Sequence, residues 1–168
     1  MPKFVPICGP FSADTVYIGT EIVARDVAVT LPEVAAVTFD IQAMGNMTMP
    51  DWSRIDHMET AITKIGVDKG LATMTKPGAK NLEFRGVYPV TDANGNTKNV
   101  GVKAFIKGYP NKIPGIGVAI GDASENELTY ATSRYQLIVD GVEMWCIDRI
   151  AGILRIDGVD YANLDSLL

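Results

Sequence analysis

The sequence holds one histidine, His57, and two cysteines, Cys8 and Cys146. A Ser-His-acid triad would have to use His57, whose neighbours are Asp56 and Met58, and nothing in the chain marks a nucleophile elbow. One histidine and two distant cysteines do not make a zinc ligand set. His57 therefore reads as a surface or interface residue. The 15 Lys and Arg stand against 20 Asp and Glu, for a net charge of −5, and the cations are scattered singly. That pattern excludes a reader of the phosphate backbone, which clusters its cations. No run approaches the ~18 apolar residues of a membrane span. The start, MPKFVPICGPF, is interrupted by Pro2, Pro6 and Pro10 and lacks the apolar stretch of a signal peptide. A chain made and folded in a cytoplasm is the expectation, with its two thiols free and buried.

Three segments imitate ligand sites. GIGVAIG (Gly115, Gly117, Gly121) resembles a dinucleotide fingerprint, which needs a strand before the glycines and a helix opening at them. Pro114 precedes and DASENE follows without an amphipathic helix, so a glycine-rich strand or bend is expected. DANGN spaces Asp92, Asn94 and Asn96 like a calcium loop, but Lys103 stands where the closing Glu belongs. DASENE, with Asp122, Ser124 and Asn126, lacks a glycine and a closing carboxylate, and reads as a solvated loop. No cofactor, metal or catalytic residue is expected.

What the chain does have is strand pattern. Its 168 residues, 47% apolar and 21% charged, suit one domain over 1–168 with a core of its own. No repeat or linker divides it. In VYIGTEIVARDVAVTL, Val27, Val29 and Leu31 alternate with Ala28 and Thr30. In VAAVTFDI, Val37, Phe39 and Ile41 share one face. Val100, Val102, Ala104 and Ile106 alternate on the return arm of a hairpin whose turn is Asn94-Gly95, residues that tolerate positive φ. Tyr135, Leu137 and Val139 face Val142, Met144 and Cys146 across Asp140-Gly141, a second tight hairpin. Strands are expected near 16–31, 35–42, 83–90, 99–108, 117–120, 127–139 and 142–148, with one more after.

Two stretches are less plain. In SRIDHMETAITKIG, Ile55, Met58, Ile62 and Ile65 recur at helical spacing, and Ser53 with Asp56 resembles a capping box, which reads as helix over 53–65. AMGNMTMP clusters Met44, Met47 and Met49 beside Asp51-Trp52. Gly45, Asn46 and Pro50 disfavour a continued ladder and favour the surface. Methionine suits surfaces that repack against a partner, so an interaction site stands level with core packing.

The closing stretch, SRYQLIVDGVEMWCIDRIAGILRIDGVDYANLDSLL, resembles the C-terminal signature of the major tail tube proteins of contractile-tailed phages and phage-tail-like bacteriocins. Tyr135, Asp140-Gly141, Ile147-Asp148 and Gly158-Val159-Asp160 follow in the family's order and spacing. VTLPEV (Val29 to Val34), AMGNM, FRG (Phe84 to Gly86) and IKG (Ile106 to Gly108) agree in register, so the resemblance covers nearly the whole chain. Its register makes METAITKI a strand, and we follow it over the helical reading, because periodicity cannot settle so short a segment. The family's helix then falls near 67–75, shortened by Gly70, Pro77 and Gly78.

The resemblance implies a mainly β, sandwich or barrel-like protomer with a short flanking helix and a long projecting hairpin. It implies six protomers in a ring, with the rings stacking into a hollow tube. Met44, Met47, Met49 and Trp52 would touch the adjacent ring. Asn94, Gly95, Asp140, Gly141 and Gly158 would form structural turns. Leu164, Leu167 and Leu168 would lie in a subunit interface. The implied partners are further copies of the chain, a surrounding sheath, baseplate and terminator proteins, and DNA in transit without specific binding. The acidic balance is in keeping with a wall that does not hold polyphosphate. Two rivals are a type VI secretion-like tube, which the terminal signature argues against, and a monomeric β-sandwich that binds a ligand in a pocket.

Overall fold

The computed structural model describes residues 5–164 and 167–168. Alternating apolar positions dominate the sequence, and strands dominate the fold. The order begins β1 (Ile7–Cys8), β2 (Ala13–Ile18), β3 (Glu21–Arg25) and β4 (Ala28–Thr30). It continues with β5 (Ala36–Gln42), β6 (Asn46–Ile55), β7 (Met58–Ile65) and the helix α1 (Lys69–Thr75). It ends with β8 (Lys80–Thr91), β9 (Thr97–Pro110), β10 (Glu125–Val139), β11 (Val142–Asp148), β12 (Ile153–Ile156) and β13 (Val159–Asp160). Eleven strands share one sheet along the path β13-β12-β11-β10-β9-β8-β2-β3, with β1 added to β8, β7 to β10 and β4 to β7. β5 and β6 pair only with each other.

β10 is the spine of the sheet. β9 runs along one side of it, while β7 and then β11 share the other. A register shift between Thr132 and Arg134 leaves Ser133 out of the β9 ladder. One extra residue inverts which parity points inward. Asn126, Leu128, Tyr130 and Thr132 are buried before it, and Tyr135 and Leu137 after it. A single long strand thereby serves the core at both ends.

The core lies between this sheet and α1. Leu71 and Met74 are the buried residues of the helix, packed with Val16, Ile62, Leu82, Ile106 and Leu128. Asp68 caps α1 by accepting from the Leu71 amide at 2.9 Å, which answers one orphan donor of the first turn. The Tyr130 hydroxyl donates to the Met74 carbonyl at 2.8 Å and ties the helix to the spine. Gly70 sits so close to β3 that a Cβ there would meet the Val23 carbonyl oxygen at 2.6 Å. Lys64 is buried, and its ammonium donates to that same oxygen at 2.7 Å and pairs with Asp68 at 3.2 Å.

Several expectations are corrected. The strand expected over 16–31 is three strands, broken at the Gly19-Thr20 turn and at Asp26, which has φ 50°. The strand that the family register gives METAITKI, against the helical spacing over 53–65, is present: β6 ends at Ile55, and β7 alternates inward Met58, Thr60, Ile62 and Lys64 between β10 and β4. Period two wins because both edges of β7 find ladder partners, which a helix there would leave open. The short helix near 67–75 is present as α1. Residues 46–55 form a strand despite Gly45 and Pro50, because a two-stranded ribbon leaves Pro50 an edge without a missing bond. The strand expected over 117–120 does not form. Cys8 and Cys146 are free, but Cys8 is exposed.

Candidate assembly surface

The two-stranded ribbon of β5 and β6 is where the fold leaves most to a partner. Across it, Phe39 pairs with Met49 and Ile41 with Met47, so Val37, Phe39, Ile41, Met47 and Met49 share one face. The other face carries Thr38, Asp40, Gln42, Asn46, Thr48 and Pro50, with a bond from Thr48 Oγ1 to Asp40 Oδ1 at 2.7 Å. The ribbon is amphipathic, yet no core lies under its apolar face. Phe39 keeps 48% exposure and Met47 42%. An isolated two-stranded hairpin is marginal in water, so such a face calls for cover.

The tip is sharper still. Gln42 pairs with Asn46, and Ala43, Met44 and Gly45 close the loop, with the Ala43 amide donating to the Gly45 carbonyl at 2.7 Å. Met44 has φ 53° and is fully exposed. A bulky residue pays for that conformation, and here its side chain touches nothing in the protomer. At the root, Ala36 pairs with Ile55 but Val37 with Asp51, which leaves Trp52, Ser53 and Arg54 outside the ladder. The Ser53 hydroxyl and amide both donate to Asp51 and hold its carboxyl below the usual range. Trp52 borders a cleft of about 250 Å³ with Pro32, Val34, Trp145 and Leu154.

The other residues singled out from sequence are dispersed. Asp140 and Gly141, at φ 51° and 78°, join β10 to β11 as a two-residue turn. Asp157 and Gly158, at 50° and 80°, join β12 to β13 in the same way. The Asn94-Gly95 turn is wider: Asp92 through Asn96 lie between the strands, and Gly95 has φ 79° while Asn94 is not among the positive-φ residues. Asp92 closes this loop by accepting from the Asn94 and Asn96 amides, at 2.8 and 2.9 Å. Leu164, Leu167 and Leu168 are exposed. His57 lies at the surface, 3.9 Å from Glu59. Among the described residues no group of three His, Cys, Asp or Glu is placed to hold a metal. No helix among them is long and apolar enough to cross a membrane.

One face escaped the sequence reading. The side of the main sheet opposite the core carries Arg85 beside Lys103 and Lys107 beside Arg134, like charges directly opposed across strands. Phe105 lies between the two pairs, over a depression of about 450 Å³. Glu143 belongs to this face and is held by Arg155 and Gln136, which keep its carboxyl low. Glu83 shares the face, opposite Phe105, and pairs with Arg85 at 2.6 Å, so it is Lys103, Lys107 and Arg134 that set this face apart from the acidic average of the chain. The signal lay in FRG, KAFIKG and SRY, whose cations come to one face only when β8, β9 and β10 align with the bulge at Ser133 in place.

Solved structures share this fold, among them two from one injection system. One is a chain of the sheath-tube complex of PVC, an extracellular contractile injection system, in the extended state. It has 14% identity and a TM-score of 0.53, covering 77% of this chain and 90% of the other. The second is a chain from the sheath/tube terminator of the same system, at 17% identity and a TM-score of 0.52, covering 80% and 98%. A comparison with curated proteins finds no match. The fold is thus that of proteins built into contractile injection systems. The profile of the family described as phage tail tube protein FII matches residues 12–164, and the chain belongs to that family. It is a tail tube subunit, as the resemblance of its closing stretch implied.

Proposed function

We propose that this subunit forms the inner tube of a contractile injection machine. Six copies close a ring by joining sheet edges, which removes the open ladders at β3 and β13. The rings stack head to tail, a contact that does not close and therefore propagates. A sheath surrounds the tube, and terminator and baseplate proteins cap its ends. On contraction the tube is driven through a target envelope, and its channel passes DNA in a phage or stands empty in a bacteriocin. The role is structural and non-enzymatic, with assembly in the host cytoplasm.

The β5–β6 ribbon carries this reading. Its apolar face and the Met44 tip are built, at a cost in backbone strain, for contact outside the protomer. Met44, Met47, Met49 and Trp52 are assigned to the adjacent ring, and Leu164, Leu167 and Leu168 to a lateral interface. Negative-stain electron microscopy of the purified chain tests it. Rings and hollow tubes of uniform diameter are the expected result. A protein that stays monomeric at every concentration and ionic strength would sink the proposal.

A further inference from the structure

Between β9 and β10 the chain runs through Asn111-Lys-Ile-Pro-Gly-Ile-Gly-Val-Ala-Ile-Gly121 with no strand or helix. Its period is two: Ile116, Val118 and Ile120 alternate with Gly115, Gly117 and Ala119. One face is β-branched and the other nearly bare, which is a strand pattern. Yet Ile113, Ile116, Val118 and Ile120 are exposed at 80, 46, 92 and 107%. A Cβ built on Gly115 or Gly117 would meet nothing within 4 Å, so the bare face of the segment is open. Pro114, which is buried, anchors it. Within the described residues no backbone bond is made by an amide or carbonyl from 112 to 118; the flanking bonds are Asn111 to Thr129 and Asp122 to Ala119.

Such a segment combines unpaired backbone groups with uncovered apolar side chains. Strand addition to a sheet edge answers both at once. The chain itself offers such an edge. β9 leaves β10 at the Pro110–Tyr130 pair, so Glu125 to Leu128 have a ladder partner only on the β7 side. That edge belongs to this chain, so a second copy is the molecule that brings it. Copies of a chain at −5 repel one another, and residues 113–121 contain no charge at all. They are where two copies approach at least electrostatic cost.

We propose that residues 115–120 become a strand only on assembly, by adding to an open sheet edge of a second copy. The inference rests on the tube-subunit reading above. It makes the glycines functional: they keep one face of the new strand thin enough to lie against a neighbouring sheet.

Hydrogen–deuterium exchange of free subunits and of assembled wild-type tubes tests it. Amides of residues 115–120 should exchange freely in the subunit and roughly 100-fold slower in the tube. Val118→Pro, which removes one ladder amide at a residue that is 92% exposed in the protomer, should leave the subunit's Tm unchanged and abolish tubes. Tubes whose 115–120 amides still exchange freely would overturn the inference and leave the tube reading standing. So would Val118→Pro protein that assembles like wild type. Should the variant fail to fold, the segment is already packed in the subunit and the inference is wrong. Wild-type protein that never assembles would remove both.

Discussion

Replacing Met44 by Asn should separate folding from stacking. Met44 sits at φ 53° at the tip of the β5–β6 ribbon with its side chain fully exposed. Within the protomer the side chain has no contact to lose. The left-handed conformation costs a non-glycine residue about 1–2 kcal/mol, and Asn tolerates it better than Met. The free subunit of Met44→Asn should therefore unfold at the same denaturant concentration or up to about 1 kcal/mol later. Stacking should move the other way. A Met side chain buried against the next ring contributes about 1.5–3 kcal/mol, and 1.4 kcal/mol is a factor of ten in an equilibrium constant. The critical concentration for tube growth should rise roughly 10- to 100-fold. Chemical denaturation of the subunit and sedimentation of tubes over a concentration series measure the two quantities. Adding Met47→Ser and Met49→Ser should deepen the assembly defect. It should also cost the ribbon up to about 1 kcal/mol per site, because these residues pair with Ile41 and Phe39. Tubes from Met44→Asn at the wild-type critical concentration would refute the stacking role. Outright unfolding of the triple variant would place the methionines in a core.

Three further outcomes follow from the fold. Gly141→Val puts a β-branched residue at φ 78° in the β10–β11 turn and should cost about 1–3 kcal/mol in denaturant unfolding; an unchanged midpoint would mean that the turn relaxes. Tyr130→Phe removes the bond from the buried hydroxyl to the Met74 carbonyl and should cost about 1–3 kcal/mol, while wild type has an added alkaline sensitivity. Burial raises the Tyr130 pKa above its ordinary 10.0, so that contribution is complete below pH 10 and is lost as pH rises towards the folded value; Tyr130→Phe should melt with a flatter pH dependence there. Asp68→Ala removes both the cap of α1 and the carboxylate partner of the buried Lys64, and should cost about 1–3 kcal/mol at pH 7. The Leu71 amide holds the Asp68 carboxyl low, so the wild-type advantage should shrink as pH falls through the acid range, and a constant gap down to pH 2 would count against the cap.

The sequence by itself determined what depends on neighbours along the chain. Asp-Gly at 140 and 157 sets two-residue turns because both positions need positive φ, and the alternation in Val100 to Ile106 needs only a partner on either side to become a strand. The order of such signals in the closing stretch was enough to place the chain among tail tube proteins. Tertiary structure decided what depends on which partner arrives. Residues 58–65 carry a pattern that serves a helix or a strand, and the open sides of β10 and β4 chose the strand. Residues 116–120 carry a cleaner strand pattern and stay irregular, because no edge within the protomer reaches them. Arg85, Lys103, Lys107 and Arg134 became one cationic face only through the register of three strands. A residue's period says which side it shows, while the ladder it joins decides what stands opposite, and that pairing is a property of the folded chain and not of any short window of it.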